Sequence, residues 1–422
     1  MTTTEAAELV DERNAVESIR TTCCVVGGGP AGAVLGLLLA RQGVDVTLLE
    51  AHADFDRDFR GDTLHPSVME LMDDIGLAER ILELRHSKLR SASFVTPTGP
   101  VTVADFGRLD TRFPYITMLP QSDFLELVTR EAARLPNFRL LMEARVDELI
   151  SEDGEVRGVR FEKDDRQFEV RATLTVATDG RSSRVRHLAR LEPVKTSPPI
   201  DVLWFRLPRR REEPGGVLGR FGRGHAVVML DRLDEWQIGF VILKGTYREL
   251  RASGLEALRK SLAETAPELA DRVELLKEWK QVAMLSIESS RLREWYLPGL
   301  LLIGDAAHVM SPVGGVGINY AIQDAVVAAN VLTAPLLAGR VGVAELREVQ
   351  RQREWPTRVI QFIQTQVQKT IARNAMRGAG GTFNPPLFLR LLLRIPYLRN
   401  IPARVIAFGV RRVRIMRVKQ KI

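Results

Sequence analysis

The stretch TCCVVGGGPAGAVLG (22–36) constrains this chain more than any other. Thr22 to Val26 reads as a buried strand, Pro30 to Gln42 as a helix and VDVTLLE (44–50) as a second strand, so the chain opens with a βαβ unit. Gly27 permits a tight turn, Gly29 lets the backbone approach a pyrophosphate, and Gly32 lets the helix pack closely on the strand. The helix start at Pro30 and Ala31 offers free N–H groups and a positive dipole end to phosphates. Glu50, with Ala51 after it, ends the second strand where an acid accepts hydrogen bonds from a ribose hydroxyl. A carboxylate there disfavours a 2′-phosphate, so NADP is not expected at this site. The competing explanation, a merely tight strand-to-helix turn, accounts for the glycines but not for the ordered strand and acid that follow.

At 422 residues the chain exceeds the roughly 250–300 at which single cores stop growing, so two lobes are expected. Hydrophobic residues at 45% and charged residues at 27% suit a soluble globular protein. No charge-free apolar run reaches about 18 residues, so no spanning helix is expected. The opening MTTTEAAELVDER is acidic and polar, unlike a secretory leader. The two cysteines, Cys23 and Cys24, are adjacent on one strand and face opposite ways. They make neither a disulfide framework nor a metal site, and a cytoplasmic location is expected. The net charge of +7 is unevenly spread: 14 Lys and Arg and no Asp or Glu follow Glu354, leaving residues 1–354 with 46 basic and 53 acidic side chains.

Two further stretches carry chemistry. In TVATDGRSSRVR (175–186) an apolar strand runs into Asp179-Gly180, by itself an ordinary turn. In LLLIGDAAHVMSPVGGVGINYAIQDA (300–325) a strand ends at Gly304 and Asp305 projects from its carboxyl end, where open α/β sheets bind ligands. Gly314, Gly315 and Gly317 then leave backbone N–H groups accessible before a helix. Between these stretches, DVLWFRL, AVVMLDRL and WQIGFVILKG read as strands, and 66–90 and 122–135 read as helical, the latter with Ser122 as N-cap.

GGGPAG, TDG and GDAAHxxxPxxGxG in this order resemble the class A FAD-dependent aromatic hydroxylases, the single-component flavoprotein monooxygenases, over about residues 20–345. The resemblance implies an α/β fold: a glutathione-reductase-type, Rossmann-like FAD lobe (1–92, 107–198 and 290–345), an inserted β-sheet substrate lobe (93–106 and 199–289) and a basic helical C-terminal region (346–422). It implies that Gly27, Gly29, Pro30, Ala31, Gly32, Glu50 and Ala51 hold the ADP half of a tightly bound FAD, with Val146 at the adenine. Arg60 and Gln121 stand at further flavin contacts; many members carry Arg where this chain has Gln121. Asp305 corresponds to the ribityl ligand, and Gly315, Val316, Gly317, Ile318 and Asn319 to the loop against the isoalloxazine. Asp179 is associated with both FAD and the visiting nicotinamide. No second GxGxxG occurs, which suits NADH or NADPH as a transient reductant. By the same resemblance, a flavin C4a-hydroperoxide formed with O₂ hydroxylates or epoxidises an aromatic, quinone-like or polyketide-like substrate. The alternative is a reductase of the same fold acting on a lipophilic, isoprenoid-like double bond.

Catalytic side chains are weakly marked. His308 lies beside the third motif, and Arg206 and Gln237 lie on strands of the expected substrate lobe; each is a candidate, and loop structure is the competing role for His308. Alternation places Val202, Trp204 and Arg206 on one face and Gln237, Gly239, Val241 and Leu243 together on one face of their strand. Met229 and Asp231 stand near where the phenolic-acid hydroxylases carry a substrate-binding Arg, which points to a more apolar substrate. For the basic tail (385–422) two readings stand, peripheral contact with an anionic membrane or an apolar layer packed on the flavin lobe, with Pro396 and Pro402 breaking it into short helices. No metal is expected, and no nucleic acid, because no binding module accompanies the charge. The oligomer is expected to be a monomer or homodimer.

Overall fold

The computed structural model describes residues 17–56, 62–96, 99–222, 224–376 and 400–416. The opening strand, Glu17–Val26, pairs in parallel with Arg166–Ala177 on one side and Val46–Leu49 on the other. Phe138–Leu141 and Leu300–Leu302 extend this parallel core at its two ends. Glu155–Lys163 and Arg145–Glu152 join it as an antiparallel extension. A central parallel strand is buried on both faces, and Cys23–Val26 meet that demand. Cys23 and Val25 pack with the helices Pro30–Arg41 and Gly317–Leu337, while Cys24 and Val26 pack with Phe161 and Trp295 opposite. Gly317–Leu337 is long and apolar enough to cross a membrane by composition, but it serves as a core helix and carries the buried Asp324.

The second sheet has seven strands in the order Ala283–Leu285, Ile200–Pro208, Glu235–Leu243, His225–Asp231, Val217–Phe221, Ser91–Thr96 and Gly99–Asp105. The hairpin Ser91–Asp105 reaches it from far upstream, through a parallel pairing with Val217–Gly219. One face is sealed by the helix Leu255–Thr265, whose Leu258 and Leu262 pack on Leu203, Phe205, Trp236, Ile238 and Phe240. The opposite face carries Val202, Trp204, Val228 and Val241, with Ile371 and Ala372 of the 34-residue helix Val343–Met376 against part of it.

Several local expectations change. The helix near 122 starts at Gln121 after Pro120, with no side-chain cap, so Ser122 is inside the first turn rather than capping it. The helical region from 66 ends at Glu83, and Ser87–Leu89 is a strand because it pairs with Ile116–Met118. In the tail, Pro402 stands in the first turn of the short helix Ile401–Phe408, where a proline costs no hydrogen bond. That helix buries Ala403, Ala407 and Phe408 among Leu89, Phe106, Ile116 and Met118. Pro396 lies outside the described residues.

Candidate active site

The three motifs meet at the carboxyl edge of the parallel sheet. Gly27 has φ +104°, and a Cβ there would sit 2.7 Å from the Asp179 backbone, so only glycine lets the two turns touch. A Cβ on Gly32 would lie 2.0 Å from the Gly27 carbonyl, which ties the first helix down on its own turn. Thr178 Oγ1 sits at the same crossing, 2.7 Å from the Gly27 oxygen and 2.9 Å from that of Val26. Gly29 differs: only the Thr178 carbonyl comes within 4 Å of its Cβ position, leaving space at the start of an uncapped helix. Pro30 stands in the first turn and Ala31 is buried.

Glu50 is already oriented. Its Oε2 accepts from Gly28 N at 2.8 Å, and its Oε1 accepts from His52 N at 3.0 Å with His52 Nδ1 at 2.6 Å. Ala51 is exposed beside it. Val146 is buried on Arg145–Glu152 in the apolar cluster of Val26 and Leu49, and Ala144 N donates to the Glu50 carbonyl at 2.8 Å. Asp179 turns its carboxylate to its own helix, accepting from Ser183 Oγ at 2.5 Å and Val185 N at 3.0 Å. Burial nonetheless holds its carboxyl above the ordinary range.

In the third motif, Asp305 lies in a tight turn at Gly304–Ala306, half-buried. Val316, Ile318 and Asn319 are buried, while Gly317 opens the following helix, which is also uncapped, with nothing within 4 Å of its Cβ position. The Asn319 side chain is used inside the protein: its Oδ1 accepts from His65 N at 2.8 Å, and its Nδ2 donates to the carbonyls of Thr63 and Gly315 at 3.0 Å each. The amide therefore ties the Asp62–His65 segment to the Gly315 loop, leaving backbone as what this loop can offer a ligand. Gln121 N approaches Asp62 Oδ1 at 3.3 Å, so Gln121 belongs to the same neighbourhood. Arg60 lies outside the described residues.

His308 is fully buried, with Nε2 2.6 Å from Asp324 Oδ2. Arg353 Nε reaches Asp324 Oδ1 at 2.6 Å, and Gly304 N donates to Oδ2 at 3.0 Å. Burial pushes the Asp324 carboxyl up, but His308 and Arg353 outweigh it and hold it below the ordinary range. The geometry makes His308 part of a buried ionic anchor behind the loop. The sequence analysis missed both Asp324 and Arg353. It also missed Gln361, whose Nε2 donates to Ser290 O at 2.9 Å and Val309 O at 3.0 Å, and Gln364, which donates to Ser311 O and Val313 O at 2.8 Å each.

On the open face of the second sheet, Trp204 lies across Gly239, where a Cβ would meet its ring at 3.0 Å. Gln237 is buried and accepts from Arg232 Nη1 at 2.8 Å. The same nitrogen meets Asp62 Oδ2 at 2.5 Å, joining this face to the Thr63–Gly315 neighbourhood. Burial raises the Asp62 carboxyl against the pull of Arg232. Arg206, opposite Gln237 in register, is exposed and 3.9 Å from Glu235. Met229 faces the helix-covered side with Val227 and Trp236, so its character says nothing about a ligand on the open face. The nearby arginine is Arg232, one residue past the strand. Among the described residues no cluster of His, Cys, Asp and Glu could hold a metal ion.

The chain matches the FAD binding domain family over residues 20–365. It is 34% identical over 327 residues to 6-methylpretetramide 4-monooxygenase of Streptomyces rimosus, covering 76% of this chain and 77% of that protein. It is 26% identical to para-nitrophenol 4-monooxygenase of Pseudomonas sp. strain WBC-3, covering 75% of this chain and 78% of the relative. Against some relatives, such as anhydrotetracycline monooxygenase of Streptomyces rimosus, it spans 61% of their length. P. aeruginosa PqsL in complex with 2-aminobenzoylacetate shares the fold, with TM-score 0.72 at 21% identity, over 85% of this chain and 97% of that one. The OxyS anhydrotetracycline hydroxylase from Streptomyces rimosus does so with TM-score 0.70 at 24% identity, over 92% and 76%. The chain belongs to the FAD binding domain family, among the class A FAD-dependent aromatic hydroxylases.

Proposed function

We propose that the protein is an FAD-dependent monooxygenase that takes electrons from NADH or NADPH and uses O₂ to hydroxylate or epoxidise a fused-ring aromatic, polyketide-like substrate in a reducing cytoplasm. The residues fit the cofactor: two helix starts without side-chain caps adjoin space, a Cβ on Gly29 meeting only the Thr178 carbonyl at 3.9 Å and one on Gly317 nothing within 4 Å. Gly27, Gly29, Pro30, Ala31, Gly32, Glu50, Ala51 and Val146 would hold the ADP half, and Asp305 with the Gly315–Asn319 backbone the ribityl and ring. Reduced FAD, when bound, supplies the activation of O₂. The protein's own part is to seat the substrate against the ring and exclude water.

The observation that carries the substrate class is the sheet face opposite the helix Leu255–Thr265, which Val343–Met376 covers in part. Val202, Trp204, Val228 and Val241 make it apolar, and Arg232 at its edge is committed to Asp62 and Gln237. Such a face suits a flat apolar ring system better than a small benzoate needing a cation. The 34% identical relative is named for a reaction on 6-methylpretetramide. The test is substrate-dependent NAD(P)H oxidation with O₂ uptake and mass analysis of the product. Tetracyclic aromatic polyketides should give coupled turnover and incorporate one oxygen atom. Coupled turnover confined to simple hydroxybenzoates would overturn the substrate class, and product formed anaerobically would overturn the reaction type in favour of a reductase.

A further inference from the structure

His65 stands next to the loop just described, and the inference about it rests on reading that loop as the flavin's. Its side chain is 1% exposed. Nδ1 lies 2.7 Å from the carbonyl oxygen of Ile406, in the C-terminal helix. A carbonyl only accepts, so Nδ1 carries the proton and Nε2 of the neutral ring bears a lone pair. Burial pushes the imidazole down to about 4, which keeps it neutral in ordinary buffers. Among the described residues Nε2 has no hydrogen-bond partner, and a buried acceptor left unpaired is costly. Nε2 is close to the Gly315 turn: a Cβ on Gly315 would lie 3.6 Å from it. The backbone at His65 is held as well, by Asn319 Oδ1 at 2.8 Å.

We propose that His65 Nε2 accepts a hydrogen bond from a donor docked against Gly315, either a ring N–H of the flavin or a phenolic hydroxyl of the substrate. His65 is then a binding residue, and Ile406 is a positioning group that sets its tautomer from the far end of the chain. The family match ends at residue 365, so this positioning contact comes from outside it.

Two conservative variants separate this role from simple stapling of the C-terminal helix. His65→Asn keeps a donor where Nδ1 stands and loses the Nε2 acceptor. His65→Gln places an amide oxygen near Nε2 and gives up the Ile406 bond. If the donor is the flavin, His65→Asn weakens FAD binding about tenfold and shifts the flavin band, with partial recovery in His65→Gln. If the donor is the substrate, FAD binding and spectrum stay unchanged while KM for a phenolic substrate rises about tenfold in the Asn variant. An Asn variant like wild type in both measurements, with only the Gln variant defective, overturns the proposal. Nitrogen NMR of the unmodified protein asks the same question without a fold risk: the Nε2 resonance moves on adding FAD or substrate if the bond forms, and an unmoved resonance overturns the proposal. Failure of the flavin reading itself looks different, because wild type would then bind no FAD.

Discussion

Replacing Asp324 by Asn removes one negative charge from a place no water reaches. Asp324 and Arg353 are both fully buried, and their 2.6 Å contact is the ionic link between the helices Gly317–Leu337 and Val343–Met376. Among the described residues Arg353 Nη1 and Nη2 have no hydrogen-bond partner, and the guanidinium lies over the Tyr320 ring at 5.0 Å. The variant therefore leaves a buried cation uncompensated, which costs about 3–5 kcal/mol. Asn can still accept from Gly304 N or from His308, so the lost hydrogen bonding adds little. Replacing Arg353 by Met in the same chain removes the stranded charge, and the double variant should return to within about 2 kcal/mol of wild type. Denaturant unfolding followed by tryptophan fluorescence measures this, with Trp295 as a local reporter because its ring lies 4.8 Å from that of His308. The pH dependence has a definite sign. The folded carboxyl titrates below its unfolded value, so its stability is present above about pH 4 and is lost as pH falls through the folded value. The deficit of the Asn variant should accordingly shrink in acid. A single variant within about 1 kcal/mol of wild type at neutral pH, or a double variant no better than the single one, would refute the reasoning.

Gly32→Ala should abolish tight FAD binding while the protein still folds, because the added Cβ would fall 2.0 Å from the Gly27 carbonyl; the ratio of flavin to protein absorbance after purification checks this. Arg232→Met should leave Asp62 buried without its partner, raising KM for an aromatic substrate and costing about 3 kcal/mol of stability at neutral pH. Since burial already lifts the Asp62 carboxyl, the folded state binds more protons than the unfolded one, and that variant should gain stability as pH is lowered towards 5; a flat profile would count against it. Cys23 and Cys24 should resist thiol reagents in the native state and react on unfolding, because both are fully buried and burial pushes the Cys23 thiol up to about 12.

What was legible follows from how local each constraint is. The glycine turn and the parallel strand at 23–26 announce themselves because each residue satisfies a backbone demand within a few positions. The open sheet face was half legible: alternation grouped Trp204 with Val202, but only the packing of Leu258 and Leu262 shows which side is covered. The long helix Val343–Met376 shows where reading fails. Gln350, Arg353, Thr357, Gln361, Gln364 and Gln368 recur at helical spacing, the pattern of a solvated face, yet all six are buried. Trp355 and Phe362 on the same helix are exposed. The inversion arises because the helix lies against the paired short strands Ser289–Arg291 and His308–Val309 and the turn after them, whose carbonyls at Ser290, Val309, Ser311 and Val313 need donors. Binary patterning has no means of anticipating a polar partner that distant in sequence. The partners of His308 were out of reach for the same reason, Asp324 and Arg353 being on two other elements.

The seat of the helix Ile401–Phe408 also bears on the order in which the protein can be made. When residue 376 has left the ribosome, the sheets, the glycine turn and the loop at Gly315 have all been synthesised. Ile406 is then still inside the exit tunnel, and until it emerges the His65 ring lacks its Nδ1 partner and the cluster of Leu89, Phe106, Ile116 and Met118 lacks Ala403, Ala407 and Phe408. Synthesis therefore brings out the glycine turn and the Gly315 loop before the helix that packs beside them.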